Sequence, residues 1–378
     1  MSYFKDIRDG RQLANFVNQH APHAVTLATT EQNLPILAVK LGGDKLPAIL
    51  IKAGSHASEI GAIHGALTLL AEGITSGHEV WLLPCASPFD FGGYNRALSW
   101  AAGKEIVLHN DTECREVLAR IGRCVYEREH VALFRVGEMI FAAVNQHEVD
   151  PRALAYGQLD TISRSAARLA WELGGRRIFL PNFIYHAEDY TSYDHAGLAC
   201  WANWDGWVGN LNRFYDSYTP PVEVRCVRDF CEQIKPGLVL DLHESGVIRG
   251  LQEAGHTAAG GAMAEQHYLV LPPVHGPCFE TIETPVAEAM LEATRQARFA
   301  CLDRETLARS WGFGACEYFH GYVRNDQRPI VPFFQWGTRY EASIVVETGM
   351  AQPVATRAAI QSAAVRGALA AYEKLKAG

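Results

Sequence analysis

The chain has 378 residues, an apolar fraction of 48% and a formal net charge of −8. That length fits two or three domains or one large α/β unit, with ample apolar chain for a core. The acidic balance argues against a nucleic-acid backbone as main partner, because no basic excess exists to neutralise phosphates.

The nine cysteines are scattered, odd in number and free of any C-x-x-C pair. This suits free thiols in a reducing compartment better than a disulfide framework or a thiolate zinc site. The first sixteen residues, MSYFKDIRDGRQLANF, lack the apolar stretch of a signal peptide, and no run approaches the length of a membrane span. The expectation is a soluble, cytoplasmic protein.

Residues 6–19 predict an amphipathic helix, and 24–29 and 36–41 two strands around a turn at Glu31, Gln32 and Asn33. The stretch LPAILIKAGSHASEIGAIHGALTLL at 46–70 reads as a buried strand over 47–52, a turn at Gly54 and Ser55, and a helix from about Ser58. EVWLLP at 79–84 predicts another buried strand. Alternating strands and helices of these lengths predict an α/β fold, with a mostly parallel sheet and helices on both faces.

After a Pro- and Gly-rich loop, residues 103–175 read as helical and charged, clearest over 112–128 and 158–173. Without a linker or repeat, residues 1–378 are expected to form a single catalytic domain. Within it, 1–45 supplies an N-terminal helix and hairpin, and 103–200 an insertion packed on the domain. RRIFLP at 176–181 predicts a strand, and the Trp- and Tyr-rich text over 186–215 a lining surface. Then follow a helix over 223–235, a strand over 237–242, a helix over 285–304, a strand over 342–346 and a final helix over 352–376.

His56, His243 and Glu347 each stand at or just beyond the carboxyl end of an apolar strand. In open α/β sheets that end opens on the crevice where ligands collect. His56 and Glu59 form an H-x-x-E pair whose nitrogen and oxygen can converge on one zinc ion, and His243 in DLHES makes a third ligand. Three protein ligands leave a position for water, which is the catalytic pattern. Asp241 and Glu244 flank the third ligand and are candidates for orienting an imidazole. Glu347, in VVETG, is the candidate general base. Asn212 and Arg213 pair a carboxamide with a guanidinium, a combination able to grip a carboxylate.

Five segments, HASE (56–59), PFDFGGYNR (88–96), NLNRFY (210–215), LDLHESG (240–246) and VVETG (345–349), together resemble the zinc metallocarboxypeptidase family and its aspartoacylase and succinylglutamate desuccinylase relatives. The resemblance covers the chain from Leu46 onward, with an insertion in the middle. It implies a three-layer α/β/α fold with a mixed, largely parallel sheet, and one Zn²⁺ per chain held by His56, Glu59 and His243. It also implies Glu347 as the base that activates water and Asn212–Arg213 as the clamp for a substrate carboxylate. The implied reaction is hydrolysis of an amide bond next to a carboxylate-bearing residue, on a small peptide or modified peptide.

Three departures stand out. Asn210 occupies the place where the family often has an Asp supporting a zinc-bound His. No Arg precedes the Asn-Arg pair in WANWDGWVG, so Arg96 is the substitute for steadying the oxyanion. The family's assisting tyrosine has Tyr322 as its nearest counterpart by spacing, with Tyr340 a poorer one. An N-acyl amino acid amidohydrolase is the competing activity, although only 31 residues follow Glu347, too few for that branch's extra β-domain. A silent binding module with the same fold is the alternative of another class. The expected partner is a small carboxylate-bearing substrate, with no nucleic acid and no membrane.

Overall fold

The run LPAILIKA becomes a strand because both of its faces meet apolar partners. Ile49, Ile51 and Ala53 enter one core and Leu50 another, and all four are fully buried. The computed structural model describes residues 7–128, 131–144, 169–181, 193, 199–204, 207–246, 260–273, 279–311, 316–325 and 332–377.

Among these residues the strands are β1 (Val25–Thr29), β2 (Pro35–Gly42), β3 (Lys45–Ala53), β4 (His78–Leu83), β5 (Arg123–Arg128), β6 (Val131–Val136), β7 (Met139–Val144), β8 (Arg176–Phe179), β9 (Ala199–Ala202), β10 (Val208–Asn210), β11 (Leu238–Ser245), β12 (Tyr268–Leu271), β13 (Cys316–Tyr318), β14 (Tyr322–Asn325) and β15 (Ala342–Gly349). The helices are α1 (Gly10–His20), α2 (Ile60–Glu72), α3 (Gly93–Ala102), α4 (Asp111–Ile121), α5 (Ala170–Leu173), α6 (Val222–Ile234), α7 (Gly260–Glu265), α8 (Thr284–Gln296), α9 (Arg304–Ser310), α10 (Phe333–Gly337) and α11 (Val354–Leu375). None of these helices is long and apolar enough to cross a membrane.

Nine strands form one sheet in the order β1-β2-β4-β3-β11-β15-β12-β14-β13. Its centre, β4-β3-β11-β15, is parallel throughout. Antiparallel pairs join β1 to β2, β2 to β4, β15 to β12 and β14 to β13, while β12 and β14 are parallel, so the sheet is mixed around a parallel centre. The near-continuous apolar text of the central strands reflects burial on both faces. One face carries α2, α8 and α11 through Ile63, Leu67, Met290, Val365 and Leu369. The other carries α6 and α10 through Val227, Phe230, Phe333 and Trp336.

The middle of the chain departs from the helical expectation. Helix α4 forms, but β5, β6 and β7 follow it and join a second, six-stranded sheet in the order β10-β9-β8-β7-β6-β5. VALFRV and MIFAAV are almost wholly buried apolar runs separated by a tight turn in which Gly137 takes a φ of 59°. Such a pair closes into a hairpin more readily than it winds into a helix. Of the helix expected over 158–173, only its end at α5 lies within the described residues.

Arg177 of β8 fastens this second sheet to the main one. Its buried guanidinium meets Asp90 at 3.1 Å and also pairs with Glu223 of α6. The helix expected over 285–304 ends at Gln296, since Arg298 adopts a left-handed φ of 67° and α9 then restarts at Arg304.

Candidate metal centre

At the end of β3 the chain turns at Gly54, where φ is 68° and an added Cβ would lie 2.8 Å from the Cys85 sulfur. Only glycine makes that turn without strain. The turn leads through His56 to Glu59, which occupies the N-cap of α2 but makes no capping bond with its side chain. The carboxylate is directed instead at two imidazoles. Its Oε1 accepts from His56 Nδ1 at 2.7 Å, and its Oε2 lies 2.7 Å from His243 Nδ1.

His243 arrives from β11, and its ring centroid is 5.0 Å from that of His56. One ligand atom from each of His56, Glu59 and His243 lies within 4.8 Å of the others. The Glu59 Oε2 contact lacks hydrogen-bond alignment, and His56 Nε2 is buried with no hydrogen-bond partner. Two imidazole nitrogens and a carboxylate oxygen, gathered in a buried corner and imperfectly satisfied by one another, fit a divalent cation of the zinc type.

Strand alternation places Asp241 beside His243 on the same face of β11. Asp241 Oδ2 stands 2.9 Å from His243 Nε2, and Asp241 Oδ1 stands 2.8 Å from Lys52 Nζ. Lys52 is the register partner of Asp241 on β3, fully buried, and lies 4.3 Å over the Phe333 ring. Its ammonium also donates to the Ser55 hydroxyl. With its Nε2 edge turned to Asp241 at ion-pair distance, the His243 ring keeps Nδ1 toward Glu59.

Burial opposes charge on His243, but the carboxylates of Asp241 and Glu59 outweigh it and hold the imidazole pKa well above its ordinary value. Burial likewise works against the Glu59 carboxylate, yet His56 and His243 pull its pKa down to about 2. A cation entering here displaces a proton from His243, so binding is coupled to proton release.

Glu244 points to the opposite face. Its Oε2 accepts from the Gly61 amide at 2.8 Å and from Arg357 Nη1 at 2.7 Å, while Oε1 accepts from Thr348 Oγ1 at 3.1 Å. The start of α2, the end of β11, β15 and α11 are thereby tied together beneath the three ligand residues. Of the two acids flanking His243, Asp241 contacts the imidazole and Glu244 braces the elements around it.

Glu347 is the register partner of His243 on β15 and retains an opening to solvent. The protein packed around it pushes its pKa up to about 8, assisted by the Glu59 and Asp241 carboxylates and opposed by His243 and a hydrogen bond from Ser245. That bond runs from Ser245 Oγ to Glu347 Oε2 at 3.1 Å.

The remaining expected residues divide. Asn212 is buried against the centre: its Oδ1 accepts from the Phe333 amide at 2.9 Å and its Nδ2 lies 3.3 Å from His243 Nε2. Its carboxamide is therefore already engaged as a buttress. Arg213 is half-buried and donates to the Asn212 carbonyl at 2.9 Å. Arg96 is not brought to the cluster, because its guanidinium pairs with Asp9, the N-cap residue of α1, and stays 58% exposed. Tyr322 lies in the main core, stacked on Phe319 at 4.5 Å, so its phenol is packed away from the three ligand residues.

Sequence reasoning left out Lys52 and Ser245. A lysine inside an otherwise apolar central strand was the available signal for the first, since such a charge requires a buried partner.

No protein-family model and no curated protein matches the chain. Solved structures similar to it include ones described as metallopeptidases and metallo-carboxypeptidases. One is a candidate metallopeptidase from Shewanella amazonensis, with TM-score 0.46 and 13% identity over 96% of this chain and 92% of that one. Another is a metallo-carboxypeptidase from Burkholderia cenocepacia, with TM-score 0.44 and 14% identity over 96% and 69%. A third is bovine thrombin-activatable fibrinolysis inhibitor, with TM-score 0.45 and 12% identity over 98% of each chain.

Proposed function

We propose that the protein is a zinc-dependent hydrolase that cleaves an amide bond next to a carboxylate-bearing residue, in the manner of a carboxypeptidase acting on a small peptide or modified peptide. The observation that carries this reading is the gathering of His56, Glu59 and His243 at one point, with Glu347 on the neighbouring strand. When bound to these three residues, zinc supplies Lewis acidity, polarising a carbonyl and lowering the pKa of water. Glu347 takes the proton of the attacking water and returns it to the leaving nitrogen. Asp241, fixed by Lys52, keeps His243 turned toward the centre.

Arg213 offers the guanidinium for the substrate carboxylate, with Asn212 fixing the loop beside it. Arg96 would steady the oxyanion only after leaving Asp9.

Zinc-loaded protein assayed over dipeptides and N-acyl amino acids, beside Glu347→Gln, tests the reading. We expect dipeptide cleavage, with the variant keeping zinc and losing turnover by about 10²–10⁴-fold. Full turnover in Glu347→Gln would remove the base. Hydrolysis confined to N-acyl amino acids would move the activity to the amidohydrolase class. Absence of both zinc and hydrolysis would leave a binding module.

A further inference from the structure

The hydroxyls of Ser245 and Tyr268 are hydrogen-bonded to each other, and Ser245 Oγ lies 3.1 Å from Glu347 Oε2. The direction of donation follows from the chemistry. As a general base Glu347 acts in its ionised form, which only accepts, so in that state Ser245 gives its single proton to Glu347. The Ser245 oxygen is then the acceptor for Tyr268, and the phenol is the donor.

The backbone fixes all three groups. Ser245 ends β11 on the same face as His243, and Tyr268 opens β12 directly opposite Glu347 in antiparallel register. The Tyr268 ring is 1% exposed and meets Trp311 edge-on at 5.8 Å. A buried phenol in a packed site holds its direction, whereas an exposed one would sample several.

We infer that Ser245 and Tyr268 are positioning residues for the base: the Tyr268-to-Ser245-to-Glu347 chain holds Oε2 and leaves Oε1 as the oxygen that takes the proton. The inference rests on the reading of Glu347 as general base given under Proposed function. It assigns the tyrosine of the site to β12 rather than to Tyr322, and gives it a role behind the carboxylate. Two donors in series also favour the ionised form of Glu347, because hydrogen bonds to a charged acceptor are stronger than those to its neutral form.

Tyr268→Phe, Ser245→Ala, the double variant, Ser245→Thr and Glu347→Gln are compared as zinc-loaded proteins. We expect each single variant to keep one zinc per chain and a KM within about twofold, while kcat falls about tenfold. The acid limb of kcat should move up by about one unit, the equivalent of a tenfold change in proton affinity. Ser245→Thr, which retains a hydroxyl, should restore kcat. The double variant should be no worse than Ser245→Ala, because the role assigned to Tyr268 runs through Ser245.

An inactive Glu347→Gln together with an unmoved kcat and acid limb in Tyr268→Phe would overturn this inference alone. Losses that simply add in the double variant would do the same. Retained turnover in Glu347→Gln would overturn the underlying reading, and the positioning role with it.

Discussion

Asp241 and His243 share one face of β11, and the Asp241 carboxylate stands 2.9 Å from His243 Nε2. The imidazole is thereby turned so that its other nitrogen meets Glu59. Replacing Asp241 by Asn keeps the shape and removes the charge that makes His243 a better ligand. Zinc affinity is expected to fall by about 10–100-fold, read by competition with a chromogenic chelator on folded protein. Lys52 loses its buried counter-charge in the same variant, so a drop in melting temperature accompanies the affinity loss.

Gly61 tests the bracing beneath the centre. It lies in the first turn of α2, where helix propensity alone favours alanine by about 1 kcal/mol. A Cβ there would stand 2.2 Å from Glu244 Oε1 and 2.7 Å from Arg357 Cβ, both parts of a buried ion pair. Overpacking against such fixed neighbours costs about 1–3 kcal/mol, and the upper end applies where neither neighbour can move away. Gly61→Ala is therefore expected to lose about 2 kcal/mol net. The midpoint of denaturant unfolding, at unchanged m-value, measures it.

Acid sensitivity is expected from a histidine outside the three-residue cluster. His267 is fully buried, with Nε2 2.8 Å from Thr294 Oγ1, and burial lowers its pKa from 6.5 to about 4. Between those two values the unfolded chain binds a proton that the folded chain refuses. Stability from this residue is thus complete above pH 6.5 and declines as the pH falls toward 4. The full loss is about 3 kcal/mol. In His267→Leu that slope should vanish, so the stability gap between wild type and variant should narrow on acidification. Thermal melts at a series of pH values would show it.

The central strands were legible because burial on both faces leaves apolar runs such as LPAILIKA and GLVLDL that few other structures accommodate. His56, Glu59 and His243 were legible for a related reason, since polar residues at the carboxyl ends of such runs open on a common crevice. The second sheet was not, because charged residues in β5 mask a pattern that becomes clear only when β6 and β7 pair across Gly137. Tyr268 was equally hidden, because its relation to Glu347 comes from antiparallel pairing of two strands far apart in the chain. Arg96 was read from its loop alone. Its loop fits the expected pattern, but Asp9 lies close enough to capture the guanidinium.

If the centre holds its cation as described, chelation should also lower the melting temperature, because the metal binds the folded arrangement of ligands and not the unfolded chain. At free zinc about a thousandfold above Kd the stabilisation is about 4 kcal/mol, and it should shrink to about 1.4 kcal/mol or less in His56→Ala.

The most direct test of the three-residue centre is a zinc titration of metal-free protein beside His56→Ala, Glu59→Ala and His243→Ala, with folding checked by circular dichroism. The predicted result is one zinc per chain in the wild type and an affinity lower by at least about 100-fold in each folded variant. Equal zinc affinity in the wild type and the variants would contradict it.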